Sequence, residues 1–239
     1  IACAAAASEY PAKPLRIIVQ FTPGTSTDVM ARLIAAKMSD HWNQQVIVDN
    51  KPGAGAVLGT ELGAKAAPDG YTLTMAVSSA FGINPTLYSK LPYDAVNDFA
   101  PITNLGLTPQ TLVASPTAPF KTVKEFVAAA KEKPGQINYA SLGTGSTSHL
   151  TMEMFRAAAG ITLNHVAYKD ASQGTTDTLS GQIPVNIMGV STALPHIQAG
   201  KIVALAWTGE KRLAALPKCS VKYGSIASST LGSTGVVAW

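Results

Sequence analysis

From residue 15 to about residue 208 the sequence alternates short apolar runs with amphipathic stretches, and this alternation leaves few architectures open. Residues 15–21 (LRIIVQF) read as a buried strand, and in 28–38 the apolar Val29, Met30, Leu33, Ile34 and Met38 recur at helical spacing. A second strand is expected over 45–49, a helix over 57–66 halted by Pro68-Asp69-Gly70, and a third strand over 71–76. Strands joined through helices pair in parallel, because a parallel neighbour needs a crossover that no tight hairpin supplies. After a loop-rich stretch, 91–100, the pattern resumes with strands over 102–107 and 111–115, then a helix opened by the capping box Thr122-x-x-Glu125 and ended by Pro134-Gly135. Strands at 137–141, 163–168, 183–188 and 202–208 then alternate with helices at 148–159, 172–179 and 192–199, the first of these closed by Gly160. The reading is α/β in two units that divide near 100–105, with the chain crossing back near 208–217.

At 239 residues and 46% hydrophobic content the chain is long enough for one core to split into two. No apolar run approaches the roughly 18–20 residues that cross a bilayer, so a soluble globular protein is expected. The net charge of +4 comes from scattered Lys and Arg, not from a basic stripe interleaved with aromatics. That excludes a nucleic-acid partner and weakly suits an anionic ligand. The opening IACAAAAS resembles the region around a signal-peptidase site, the remnant of an exported precursor, or else is an Ala-rich disordered extension. Cys3 and Cys219 are not expected to form a structural disulfide.

In open α/β sheets ligands sit beyond the carboxyl ends of the strands, where helix N-termini converge with free N–H groups. Three loops at such ends are small, hydroxylic and short of cations: residues 22–28, 77–82 and 142–149. They suit a carboxylate held by amides and hydroxyls, although Gly, Ser and Thr before a helix are also ordinary capping chemistry. Enzyme signatures are thin. Gly53-Ala54-Gly55 followed by Gly59 has the wrong spacing for a dinucleotide fingerprint, and Gly143-x-Gly145-Ser146 is neither a nucleophile elbow nor a phosphate loop. His41, His149, His165 and His196 show no metal spacing, and His149, Asp28 and Asp170 read first as capping or packing residues. No catalytic residue, metal or cofactor is expected. The alternative left open by the residues alone is an α/β enzyme acting on a carboxylic acid.

Ordered blocks across residues 10–217 resemble the Bug receptors, the extracytoplasmic solute-binding proteins of tripartite tricarboxylate transporters. They include Tyr10-Pro-x-Lys-Pro-Leu-Arg-Ile-Ile-Val, Pro23-Gly24 with Asp28 and Ala31-Arg32, and Val48-Asp49-Asn50-Lys51-Pro52-Gly53-Ala54-Gly55. Further blocks are Pro68-Asp69-Gly70-Tyr71-Thr72-Leu73, Ile83-Asn84-Pro85-x-Leu87-Tyr88, Ser148-His149-Leu150, Tyr168-Lys169 and Ala193-Leu194-Pro195-His196-Ile197. The resemblance implies a periplasmic clamshell, exported through an N-terminal signal peptide, of two lobes, each a mainly parallel sheet flanked by helices. Residues 11–102 with 218–239 form lobe 1 and 103–217 lobe 2, following a signal-peptide remnant or disordered segment at 1–10. It implies a monomer that closes by a hinge on a small organic carboxylate and passes it to membrane transporter components. Carried over by position, the ligand contacts fall on Thr25, Ser26, Thr27 and Asp28, on Ser78, Ser79, Ala80 and Phe81, and on Gly143, Thr144, Gly145, Ser146 and Thr147. Asp170, Ala171, Met188 and Gly189 line the far side.

Two departures bear on the ligand. Pro184 and Asn186 stand where the family often carries acidic residues, which removes the partner an ammonium would need. Phe81 stands where His is common and adds an aromatic wall. The expected ligand is therefore a carboxylate without an amino group, with an apolar or aromatic body such as a terephthalate. The family also continues beyond this length to complete the first lobe, whereas 218–239 turns Ser/Gly-rich, with Trp239 where a returning strand carries a Trp. Whether lobe 1 is complete at its C-terminus is left open.

Overall fold

The structure, a computed structural model, describes residues 10–209, 220–221 and 233–238. Residues 1–9 of the expected export remnant, with Cys3, Cys219 and Trp239, lie outside the described residues, whereas Tyr10, also placed in that remnant, is described and donates its hydroxyl to the Gly70 carbonyl at 2.7 Å. Among those described, no helix is long and apolar enough to cross a membrane.

The elements form two sheets. In the first, β1 (Leu15–Val19) lies between β2 (Val46–Asn50) and β3 (Thr72–Val77), parallel to both. β4 (Ala100–Leu107) belongs to the same sheet but does not touch β3, because β11 (Ser233–Ala238) runs antiparallel between them. In the second, β6 (Asn138–Ser141) is parallel to β7 (Asn164–Ala167) on one side and β8 (Val185–Gly189) on the other. β5 (Gln110–Ala114) runs antiparallel to both β8 and β9 (Val203–Trp207), and β10 (Ser220–Val221) closes the order beside β9. The antiparallel strand in each sheet is thus one delivered by a crossing of the chain from the other lobe.

Strand pairing corrects the sequence reading at two boundaries. β4 stays in the first sheet up to Leu107, so the forward crossing lies at Thr108–Pro109, beyond the boundary set after residue 102. β10 pairs with β9, so the return lies beyond residue 221 and not at 218. In both cases the deciding partner is a strand remote in sequence, which local pattern does not reveal.

Lobe 1 buries Leu15, Ile17, Val19 and Met75 against Ala31 and Ala35 of α1 (Ser26–Trp42), with α2 (Val57–Ala64) on the opposite face. Small residues let α2 approach closely: a Cβ on Gly59 would lie 2.8 Å from the Lys51 carbonyl oxygen. Lobe 2 has the larger core, in which Phe126 of α4 (Val123–Glu132) stacks on Phe155 of α5 (Thr147–Ala159) at 5.8 Å. The capping box at α4 forms with a shift: Thr122 Oγ1 accepts from the Glu125 N–H, while Glu125 reaches past the cap to the Lys121 N–H.

Beneath the 142–147 loop, polar side chains replace apolar packing. The His149 and His165 rings lie 4.3 Å apart, and Tyr139 stacks on the far side of His165 at 4.9 Å. Ser141 Oγ is 2.6 Å from His165 Nε2, and the Gly145 N–H donates to His149 Nδ1 at 3.4 Å. Glu153 accepts from the Tyr139 hydroxyl at 2.6 Å and pairs with Arg156 at 2.7 Å. Burial holds both imidazoles below the ordinary value of 6.5, reinforced at His165 by neighbouring His149 and opposed at His149 by Glu153. Both are therefore neutral in the folded protein and bind a proton first in the unfolded chain. Ligand-free thermal melts are expected to hold a constant midpoint above about pH 6.5 and to lose it as the pH falls below that value. A His165→Gln variant should flatten this limb; an unchanged limb in that variant would place its origin elsewhere.

Candidate functional site

The starts of four helices meet in the gap between the lobes. α1 begins at Ser26 with Thr25 as N-cap, and α5 begins at Thr147 with Ser146 as N-cap. α6 (Ala171–Ser180) is capped by Asp170, whose carboxylate accepts from the Ser172 N–H, and α7 (Val190–Gln198) follows Gly189, which offers no side-chain cap. All four start at the carboxyl end of a strand, as the α/β connection dictates, so their positive dipole ends share one space.

The loop into α1 is pinned from within. Asp28 is 2% exposed and accepts from the Gly24 N–H, from Asn50 Nδ2 and from Arg32 Nε at 2.9–3.0 Å. Burial alone would raise its pKa, but the Arg32, Gly24 and Asn50 hydrogen bonds and the Arg32 charge outweigh it and hold the carboxyl below its ordinary range. Asp28 therefore shapes residues 22–28 as a fixed anion and does not face the gap. The loop into α5 is held likewise: Ser146 Oγ donates to the Gly143 carbonyl at 2.6 Å and Ser148 Oγ accepts from the Leu142 N–H at 3.0 Å.

The lobes touch across the gap. Ser26 Oγ and Ser191 Oγ are 2.7 Å apart, Thr192 Oγ1 donates to the Gly24 carbonyl at 3.1 Å, and the Ala171 N–H donates to Thr22 Oγ1 at 3.3 Å. Three glycines allow this approach. A Cβ on Gly189 would overlap Ser26 Oγ, one on Gly145 would lie 2.7 Å from Leu87 Cδ2, and one on Gly55 would lie 2.5 Å from the Thr144 carbonyl oxygen. Gly55 also sits between Ala54 and Ala56 in a run of left-handed residues (φ 47°, 60° and 80°), which a β-carbon disfavours.

Beside these contacts lies a partly open cavity with about 70 Å³ accessible to a water-sized sphere. A single water needs only ~10–15 Å³ on such a measure, so the space admits a small molecule. Of the residues expected from sequence to touch a ligand, Thr25, Ser26, Thr27, Ser78, Ser146, Thr147, Ala171, Met188 and Gly189 line it. Asp28, Ser79, Ala80, Phe81, Gly143, Thr144, Gly145 and Asp170 do not. Residues Ser79–Ile83 wind as a π-helical turn that directs Ser79 and Ala80 into the lobe, and Phe81 packs on Phe99 at 4.9 Å. The aromatic walls are instead Phe21 and Tyr168. The sequence reading did not name either as a wall; both stand at or just past a strand end, the signal that could have found them, and Ser148 and Thr192 lie in first helical turns. Gln110 and Asn186 also line the cavity, and no local signal marked Gln110, which lies just past the crossover. Of the two departures at the family's acidic positions, Asn186 borders the cavity, whereas the Pro184 carbonyl accepts from the Ser115 N–H at the strand entrance. No Asp, Glu, Lys, Arg or His lines it, and no metal-ligating group of three such side chains occurs among the described residues.

The sequence signature of the tripartite tricarboxylate transporter family receptor (TctC) spans residues 30–238. Protein BugT of Bordetella pertussis is 37% identical over 91% of this chain and 67% of its own length. Among solved structures, Rpa4515 of R. palustris with adipate superimposes at a TM-score of 0.90 with 29% identity, over 96% of this chain and 78% of that one. MatC of Rhodopseudomonas palustris, with bound malate, does so at 0.87 with 27% identity, over 96% and 79%. The matched family is one of transporter receptors, and a further solved neighbour, the periplasmic binding protein BugD, superimposes at a TM-score of 0.87 with 30% identity over 96% of this chain and 77% of that one, which sets aside the catalytic alternative. The two-lobed α/β chain, with a cavity between lobes that helix starts surround, belongs to the tripartite tricarboxylate transporter family receptors, the Bug-type periplasmic solute-binding proteins.

Proposed function

We propose that this receptor binds a small carboxylate that has no amino group and carries an apolar or aromatic body, as terephthalate does, and acts as a monomer that presents it to its membrane transporter components. The observation that carries the reading is the convergence of four helix starts on a cavity that no ionised side chain lines among the described residues. Peptide N–H groups and hydroxyls at helix N-termini compensate a carboxylate without the cost of desolvating a Lys or Arg. An ammonium in the same space would lack an acidic partner and remain uncompensated. Phe21 and Tyr168 offer faces for an apolar body. The solved neighbours with adipate and malate hold acids that likewise lack an amino group.

A thermal-shift screen followed by calorimetry tests this. Benzoate and terephthalate are expected to raise the melting temperature, since a ligand at a hundred times its Kd adds about 2.7 kcal/mol, while glutamate and aspartate leave it in place. Each bound acid should be recovered unchanged by chromatography. Tight glutamate or aspartate binding with no response to aromatic acids would reject the proposal.

The glycine seam supplies a second test. Gly189→Ala forces a methyl group onto Ser26 only when the lobes meet. Overpacking of about 1–3 kcal/mol should then weaken acid binding roughly 5- to 150-fold and leave the ligand-free melting temperature unaltered. Ser26→Gly in the same chain should restore part of the loss; no recovery would mean that the seam does not govern closure.

A further inference from the structure

Ser141, at the end of β6, lines the cavity and also reaches the histidine pair beneath it. It is 2% exposed, and its Oγ accepts from the Gly143 N–H at 3.1 Å. The hydroxyl hydrogen has two acceptors within reach among the described residues, His165 Nε2 at 2.6 Å and the Gly143 carbonyl at 3.5 Å. The shorter contact is the stronger, so the hydroxyl donates to Nε2 and the neutral His165 ring carries its own hydrogen on Nδ1.

The titratable groups that face this imidazole are Tyr139 from β6 and His149, Glu153 and Arg156 from α5. Tyr139 stays neutral, because burial and the Glu153 carboxylate push its hydroxyl above the ordinary value. His149 is already committed to the loop, with Nδ1 accepting from the Gly145 N–H and Nε2 held 3.9 Å from Glu153. Two charged rings with centroids 4.3 Å apart would repel, so the pair accommodates a single added proton. With both imidazoles neutral, Glu153 and Arg156 cancel and the cluster carries no net charge. One proton on His165 gives it a positive charge, behind the wall of a cavity that no ionised side chain lines among the described residues.

We propose that a carboxylate entering the cavity draws one proton from solvent onto His165, with Ser141 as the joint between anion and imidazole. The proposal rests on the reading of the cavity as a carboxylate site. The Ser141 hydroxyl turns its hydrogen from Nε2 to the anion, Nε2 takes a proton from a water-borne acid, and the new N–H donates back to Ser141 Oγ. The oxygen then accepts from His165 and Gly143 and donates to the ligand, so each of its hydrogen-bonding positions is used. In the ligand-free protein burial and His149 oppose a charge on His165, and the anion offsets that opposition. Linkage makes the effect reciprocal: the acid is held more tightly as the pH falls towards about 6 and released as it rises. Benzoate and terephthalate are ionised throughout this range, so their own titration does not produce it.

Calorimetry with benzoate and terephthalate, run in cacodylate and in imidazole buffer, counts the protons. At about pH 6 the binding heat is expected to grow with the ionisation enthalpy of the buffer, by up to about one proton per acid, and at about pH 8 to be the same in both buffers. Affinity should rise several-fold from the higher pH to the lower, and by no more than about tenfold per pH unit, the limit for one proton. An NMR titration of the intact chain should show each acid moving the midpoint of the His165 ring upward. His165→Gln and Ser141→Ala should each bind the acids without taking up a proton. Heats independent of the buffer at the lower pH, proton release, a His165 midpoint that the acids leave in place, or uptake that survives either substitution would overturn the relay while leaving the cavity as a carboxylate site. If the unaltered chain binds neither acid, the reading of the cavity falls, and this proposal with it.

Discussion

In the cavity that the four helix starts surround, no ionised side chain lines the space among the described residues, so a negative charge there meets dipoles, and much of the architecture is shaped by that constraint. A dipole acts over a short range and only along its axis, so the peptide groups that face the ligand must be rigidly aimed. The buried Asp28 network and the Ser146 and Ser148 hydrogen bonds do this aiming in lobes 1 and 2 respectively. Because α1 belongs to one lobe and α5, α6 and α7 to the other, neither half assembles the full field alone. The groups around the cavity thus come from both lobes, and the field there is complete only where the two lobes meet.

Much of the fold is legible in the sequence because period and punctuation are local. Helix α5 shows this at both ends, with Ser146 as its cap and Gly160 in the left-handed conformation after its last turn. Partner choice is not local. The strand at 100–107 looks like the start of a second unit, yet its ladder is made with β11 from the far end of the chain. The site divides in the same way. Hydroxyls in first helical turns can be found from spacing and resemblance, since those positions face the strand ends in any α/β connection. Phe81 escapes such reasoning because a π-turn admits an extra residue per turn and rotates the side chains after it, and no residue pattern in 78–82 announces it. Asp28 suggests itself as a contact by its place beside the loop, but its oxygens are already committed to Gly24, Arg32 and Asn50.

The three glycines at the seam show how a neutral interface between moving parts differs from a core. Inside a lobe, glycine permits permanent close packing, as where Gly59 meets the chain beside β2. At Gly189, whose backbone is ordinary (φ −59°), the missing β-carbon matters only once the halves meet, whereas Gly55 and Gly145 also hold left-handed conformations that a β-carbon disfavours. The contacts made there are single hydroxyl and amide hydrogen bonds of modest net worth, about 0.5–1.5 kcal/mol each. Bonds of that size can be broken to release cargo, which salt bridges between the lobes would hinder.

The central place of β11 also constrains the order in which the molecule can mature. Lobe 2, apart from its tether, is one continuous stretch from β5 to β10, so its long-range contacts are available as soon as that stretch has emerged. Lobe 1 is open between β3 and β4 until 233–238 insert, and β4 has no ladder neighbour before then. As the chain emerges, the later-made half is thus positioned to consolidate first. The earlier-made half waits with an unpaired strand edge, the kind of surface that invites pairing with another chain.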